Sequence, residues 1–475
     1  PLVAAGKNLS FWPIGPLFRR GGAFFLRRSF KGAVLYARAF SEYVHQILEE
    51  GFSVEQFIEG GRSRTGKVLQ PKLGLLSILL TAQRNGACQD LIFVPVSIGY
   101  DRVLEERSYL EEIEGGQKQP ENVWQVIKAR RFLRRRYGKV YLQFAEPVSV
   151  NELAGRSGTS LKAMPPKDFN VFCRGLGLRI VHAINQIAVV TPHALTAAAI
   201  LNSGRERLDV EELLATVELY LNHLYAMDAK LADTLVMDHR RAVRHALESY
   251  AQRKILEPAD DAPGDPGSPA GYLLKDSRRP HLEYYKNTCV AFFVSAAFTA
   301  LAILQEDAFQ FSSSGLHRRY EALQDLFQNE FVFDADTPAE QHLRTALKRF
   351  VEEAALIPHP SLAATYNVTA AGLRQLRLLA MFMKTFLESY WVVLSYLRHG
   401  PPASGDAKDR VRRIASFGER LHRHREIELR EALSKVAYEN ALDVFTNRMA
   451  GGPEDREELE RCAQAIESAL RCLKP

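Results

Sequence analysis

Cysteine is scarce, with five in 475 residues, and Cys88, Cys173, Cys289, Cys462 and Cys472 show no paired spacing. That excludes a disulfide framework and the clustered spacings of a zinc or redox centre, so no metal is expected and a reducing compartment fits. Long uncharged runs are scarce too. Residues 183–203 include Asn185, Gln186, Pro192 and His193, which make a poor membrane span. Residues 288–304 sit at the short limit for crossing a bilayer. Both are expected as buried or membrane-resting helices. No signal peptide and no internal repeat of fixed period is evident. The chain opens on Pro1 in a stretch already apolar and patterned, so a start inside a longer protein is expected.

What is present is ordinary globular composition, 46% hydrophobic and 25% charged, enough for two or three domains. The net charge of +6 is unevenly spread. Residues 1–150 carry 22 Lys and Arg against 14 Asp and Glu, and the remainder 40 against 42. A positive field in the first third suits an anionic small molecule, an anionic membrane surface or nucleic acid. No aromatic–basic interleaving of an RNA-binding kind occurs, so no nucleic acid partner is expected. The densest basic run, at 130–136, holds Phe132 and Leu133 among five arginines and would suit anionic lipid or a solvated helix face.

Strand-like runs at 23–26, 54–58, 91–98 and 140–144 alternate with helical patterns at 33–50, 72–86 and 122–136, the second expected to open at Pro71. This alternation predicts an α/β domain over 1–160, with a mixed, partly parallel sheet flanked by helices. A helical segment over 161–256 is expected to pack on it, with 208–253 as one continuous pattern. Residues 257–272, rich in Pro, Gly and Asp, read as a linker or loop, and 273–475 as a mostly α-helical C-terminal domain.

The most informative segment is Phe57-Ile58-Glu59-Gly60-Gly61-Arg62-Ser63-Arg64-Thr65-Gly66-Lys67. It follows a strand, where α/β folds place ligands. Its glycines let backbone approach a ligand, its arginine forks match phosphate oxygens, and its lysine adds a point charge. That is the composition of a site for a phosphate dianion. Gly61 to Lys67 also spells the start of a nucleotide-binding P-loop. Val68 stands where a Mg²⁺-binding hydroxyl is needed, however, and Pro71 interrupts the helix that should follow. Upstream, an apolar strand ends in Arg27-Arg28. Downstream, Val94-Pro95-Val96-Ser97-Ile98 is a strand whose proline signals an edge or a bulge.

In this order the three segments resemble the glycerol-3-phosphate acyltransferase family, and most closely its large bacterial membrane-associated enzyme. Gly22, Phe25, Arg27 and Arg28 match the family's second block. Phe57, Glu59, Gly60, Arg62, Ser63 and Arg64 match the third, and Val94, Pro95 and Ile98 the fourth. The stretch Leu282-Glu283-Tyr284-Tyr285-Lys286-Asn287 resembles part of the bacterial enzyme's C-terminal portion. The first block, His-x-x-x-x-Asp, is missing. Only His223 and Asp228 have that spacing, in the wrong order relative to the other blocks, so the catalytic pair is expected upstream of Pro1.

The resemblance implies acyl transfer to the sn-1 hydroxyl of glycerol 3-phosphate, from acyl-CoA or acyl carrier protein as co-substrate, with no cofactor. Arg27, Arg28, Arg62 and Arg64 would hold the phosphate, with Lys67 beside them. Glu59, Gly60 and Ser63 would shape the loop and bind glycerol hydroxyls, and Pro95 would line the acyl side. It also implies a peripheral place on the cytoplasmic face of a bacterial inner membrane. Without the His–Asp pair, the fragment alone is expected to be inactive. A dihydroxyacetone-phosphate acyltransferase would share the phosphate motifs, though the helical remainder argues against it.

Overall fold

The computed structural model describes residues 1–27, 32–61, 63–101, 138–156, 158–259, 270–399, 407–448 and 454–474. Arg28, Arg62, the helical pattern at 122–136 and the basic run at 130–136 lie outside them.

The first layer is a three-stranded parallel sheet. Its centre is Leu2–Gly6 (β1), a short apolar run closed by glycine. Ala23–Leu26 (β2) pairs along one side of it, from Val3↔Ala23 to Gly6↔Leu26. Val54–Glu55 (β3) pairs along the other, Leu2↔Val54 and Val3↔Glu55. The helices Ile14–Arg20 (α1) and Val34–Glu49 (α2) supply the crossovers that parallel strands require. Helix α2 buries Phe40, Val44 and Ile47 on Phe24 of the sheet and on Leu79 of Leu73–Arg84 (α3). Helix α3 starts two residues after Pro71, so proline precedes the helix rather than opening it.

An antiparallel ribbon follows, and among the described residues it is not hydrogen-bonded to the parallel sheet. The run expected as one strand over 91–98 is broken at Pro95 into Ile92–Phe93 (β4) and Val96–Tyr100 (β5). These pair with Val148–Ser149 (β7) and Val140–Phe144 (β6). Between Phe93↔Val148 and Val96↔Phe144 the second strand holds one extra residue, which is a bulge. Val150–Arg156 (α4) and Pro166–Gln186 (α5) then pack with Leu76 and Leu80 in one apolar cluster. The α/β core therefore extends through α5.

From Val190 onward a single larger core runs to Leu473 and includes residues from both sides of 257–272. That stretch does not separate two units. Its ends form an antiparallel hairpin, Leu256–Pro258 (β9) with Gly271–Leu274 (β10). The helical body also contains a duplication. Pro192–Asn202 (α6), Arg207–Asp209 (β8), Val210–Ala226 (α7), Asp233–Gln252 (α8), β9 and β10 form one unit. Arg279–Asn287 (α9), which packs on α6, leads to the second unit. This comprises Val294–Leu304 (α10), Gln310–Ser312 (β11), Leu316–Leu326 (α11), Ala339–Glu352 (α12), Leu356–Pro358 (β12) and Thr365–Val368 (β13). Both small sheets have the order first, third, second, with both pairings antiparallel. Left-handed residues recur at matching points, Gly204 with Asp307 and Lys254 with Ala354.

The body is completed by Ala370–Ala380 (α13), Lys384–His399 (α14), Ala407–Arg423 (α15), Lys435–Arg448 (α16) and Glu454–Cys472 (α17). Among the described residues one helical run, Ala370–His399, is long and apolar enough to cross a membrane, but 83% of its most apolar stretch is buried inside the protein. The two uncharged stretches singled out in the sequence likewise supply core helices, α6 and α10.

Candidate functional site

Because β2, β1 and β3 are parallel, their carboxyl ends share one edge of the sheet. Arg27 leaves β2 at that edge, and the loop from Phe57 leaves β3 there, with β1 between them. Strand spacing puts β2 and β3 about 10 Å apart. The two cationic segments thus leave the sheet from the same end. The Arg27 guanidinium rests 4.8 Å from the centre of the Tyr36 ring, and the Arg27 N–H donates to the Tyr36 hydroxyl at 3.1 Å.

The loop is closed at its base. The Lys72 N–H donates to the Ile58 carbonyl at 2.8 Å, and the Leu69 N–H to Glu59 Oε2 at 2.8 Å. Burial raises the Glu59 carboxyl and the Leu69 bond lowers it. Gly60 has φ +65°, and a Cβ there would lie 2.8 Å from Lys72 Cγ. Glu59 and Gly60 therefore fix the loop's shape. The Ser63 hydroxyl is buried with no hydrogen-bond partner among the described residues. Burial and Asp443 raise the Glu439 carboxyl on α16, while Lys435 and Arg64 pull it back, which places Arg64 on the side of α16.

Lys67 does not face the edge where substrate was expected. It is 6% exposed and pairs with Glu330, itself 3% exposed. Its ammonium lies 4.6 Å from the Phe386 ring centre and 5.2 Å from that of Phe331. Burial draws its pKa down to about 7, with Glu283 opposing that shift and Lys286 adding to it. The direct contact with Glu330 also favours the charged form. Beside it, Asn287 Nδ2 donates to the Thr65 carbonyl at 2.9 Å. A small cavity of about 40 Å³ in the seam between the loop and the helical body is lined by Thr65, Lys67, Glu283, Asn287, Glu330 and Glu431. Nothing in the sequence pattern marked Glu330 or Phe331 as partners of this loop. The flagged segment Leu282-Glu283-Tyr284-Tyr285-Lys286-Asn287 does meet it, through Tyr284 and Asn287.

Pro95 is buried at the ribbon's bulge, and its carbonyl accepts the Ala145 N–H at 2.9 Å. The open apolar face belongs to its neighbours, the cross-strand pairs Ile98↔Leu142 and Tyr100↔Val140 together with Phe144. His223 and Asp228 do not form a dyad. His223 Nε2 is bonded to the Phe292 carbonyl at 3.1 Å, and Nδ1 has no partner among the described residues. Burial lowers this imidazole to about 4, so it is a neutral core side chain. Asp228 sits at φ +53°, past the end of α7.

Residues 1–99 match the acyltransferase family model, and residues 109–450 match the model described as the glycerol-3-phosphate acyltransferase C-terminal region. A glycerol-3-phosphate acyltransferase of Pseudomonas fluorescens is 34% identical over 376 residues, covering 76% of this chain and 44% of the relative. Those of Shewanella loihica and Shewanella oneidensis are 32% and 30% identical, over 84% and 99% of this chain and 49% and 57% of each relative. The chain spans about half the length of the curated relatives it matches.

Proposed function

The chain belongs to the glycerol-3-phosphate acyltransferase family, and on that footing we propose that it carries the glycerol 3-phosphate site of an enzyme that acylates the sn-1 hydroxyl to give 1-acyl-glycerol 3-phosphate. The observation that supports this most is the parallel order β2–β1–β3, which gathers Arg27 and the 57–67 loop at one sheet edge. Arginine forks from the two strand ends, Arg27 with Arg28 and Arg62 with Arg64, grip the phosphate. The Ser63 hydroxyl, buried without a partner among the described residues, takes a hydrogen bond of the bound glycerol or phosphate. Each charge-assisted contact contributes about 1.5–3 kcal/mol, and fixing the phosphate orients the hydroxyl for attack on the thioester carbonyl.

The donor is acyl-CoA or acyl carrier protein, and the apolar ribbon face at Ile98, Leu142 and Phe144 suits the acyl chain. No described residue is assigned as the base, which in this family is the His–Asp pair. The test is Arg62→Ala in the full-length protein. KM for glycerol 3-phosphate should rise about tenfold or more while KM for the acyl donor stays within about twofold. Equal effects on both would count against the phosphate assignment.

Peripheral attachment at the cytoplasmic face of the bacterial inner membrane belongs to the same proposal. Trp12 is 80% exposed and precedes α1, which exposes Leu17 and ends in Arg19 and Arg20. Apolar tips beside cations suit an anionic lipid surface. Binding to vesicles should strengthen with anionic lipid content and weaken in Trp12→Ser. Indifference to both would remove this placement.

A further inference from the structure

We propose that the helical body positions the phosphate loop through a clasp centred on Lys67, so that residues remote from the substrate set how well glycerol 3-phosphate is held. This rests on the reading of the 57–67 loop as the phosphate site.

The clasp is built from the segment between α11 and α12. In the first unit the equivalent connection, 227–232, is short, whereas 327–338 is about twice as long and reaches the α/β domain. Glu330 and Phe331 receive Lys67, and Asn440 Nδ2 steadies Glu330 at 3.0 Å. Gln70 donates to the carbonyls of Gln328 and Phe331, each at 2.9 Å. Val332 packs into the α/β core, and Asp336 takes a two-pronged ion pair from Arg179 of α5. From the other side, α9 presses on the loop. Asn287 holds the Thr65 carbonyl, and Gly66 passes so close to the Tyr284 carbonyl that a Cβ would lie 2.1 Å from it.

These contacts pin Thr65, Gly66 and Lys67, the residues immediately after Ser63 and Arg64. A buried lysine seated against a carboxylate between two rings is a fixed post, and the loop between it and the Glu59–Leu69 tie has little slack. Loss of the post lets the arginines drift. A displacement of the order of 1 Å at a positioning group is enough to cost up to about a hundredfold.

The experiment uses the full-length protein, with steady-state kinetics and amide hydrogen exchange over residues 57–72. Lys67→Met should raise KM for glycerol 3-phosphate about tenfold, leave KM for the acyl donor within about twofold, and speed exchange across the loop. Adding Glu330→Gln removes the stranded carboxylate, so a defect that persists in the double variant belongs to the lost post. Should Lys67→Met fail to fold, Asn287→Ala removes one loop bond and is expected to show the same pattern, smaller. Unchanged KM for glycerol 3-phosphate, equal rises for both substrates, or unaltered exchange would overturn the clasp. Arg62→Ala runs alongside. If it raises that KM and the clasp variants do not, the clasp alone fails. If Arg62→Ala is neutral, the phosphate reading fails and takes the clasp's role in substrate binding with it.

Discussion

At Gly66 the chain combines φ +87° with a neighbouring carbonyl where a Cβ would have to sit. Gly66→Ala is therefore expected to destabilise the seam by about 1–3 kcal/mol, read as a lower melting temperature. His223 gives a pH signature. Its ordinary value is 6.5, and burial holds it near 4, so between those values the unfolded state binds more protons. Its contribution is fully present above pH 6.5 and is lost as pH falls towards 4, by up to roughly 3 kcal/mol. Glu388 has the opposite sign, because burial raises it to about 7. The difference between His223→Gln and the parent isolates the histidine, and the variant's stability should fall less steeply below pH 6.5. Residue type alone identified a cationic, glycine-rich loop. It could not tell which cation faces ligand and which faces protein, because Lys67 found its carboxylate more than 250 positions away.

Elements were legible where they were long or strongly apolar. The run 23–26, the run 140–144 and the helix expected over 33–50 have close counterparts in β2, β6 and α2. The pattern expected over 208–253 splits at Asp228 into α7 and α8. The three- and four-residue strands of the helical body are not legible in the sequence, since so few residues carry no alternation. The duplication leaves no fixed period in the sequence for a related reason. Matching elements drift in spacing, from Arg207 and Gln310 to Gly271 and Thr365. Two helices that follow strands of the small sheets, α7 after β8 and α13 after β13, start on side-chain caps. Asp209 Oδ1 accepts the Glu212 N–H at 2.9 Å, and Thr369 Oγ1 accepts the Gly372 N–H at 2.9 Å. Removing either, as Asp209→Ala or Thr369→Ala, should cost about 1 kcal/mol in chemical denaturation.

On the scale of the whole molecule, composition placed a boundary at 257–272, whereas the cores meet between α5 and Val190. A Pro- and Gly-rich loop has the same composition whether it joins two units or closes one hairpin. A protease site inserted within 260–269 and cut should therefore leave both parts co-eluting in gel filtration. Separation would mean that the shared core does not hold them. The Lys67–Glu330 pair, the Arg179–Asp336 pair and Val332 join the α/β layer to this body, so the helical region braces the loop that follows β3.

The most direct test of the phosphate site is titration calorimetry of glycerol 3-phosphate into the full-length protein and its Arg27→Ala variant. Arg27 ends a different strand from the loop, so its effect reports whether both strand ends serve one ligand. The account predicts about tenfold weaker binding of glycerol 3-phosphate and an unchanged affinity for the acyl donor. Equal glycerol 3-phosphate affinity in the parent and Arg27→Ala would contradict it.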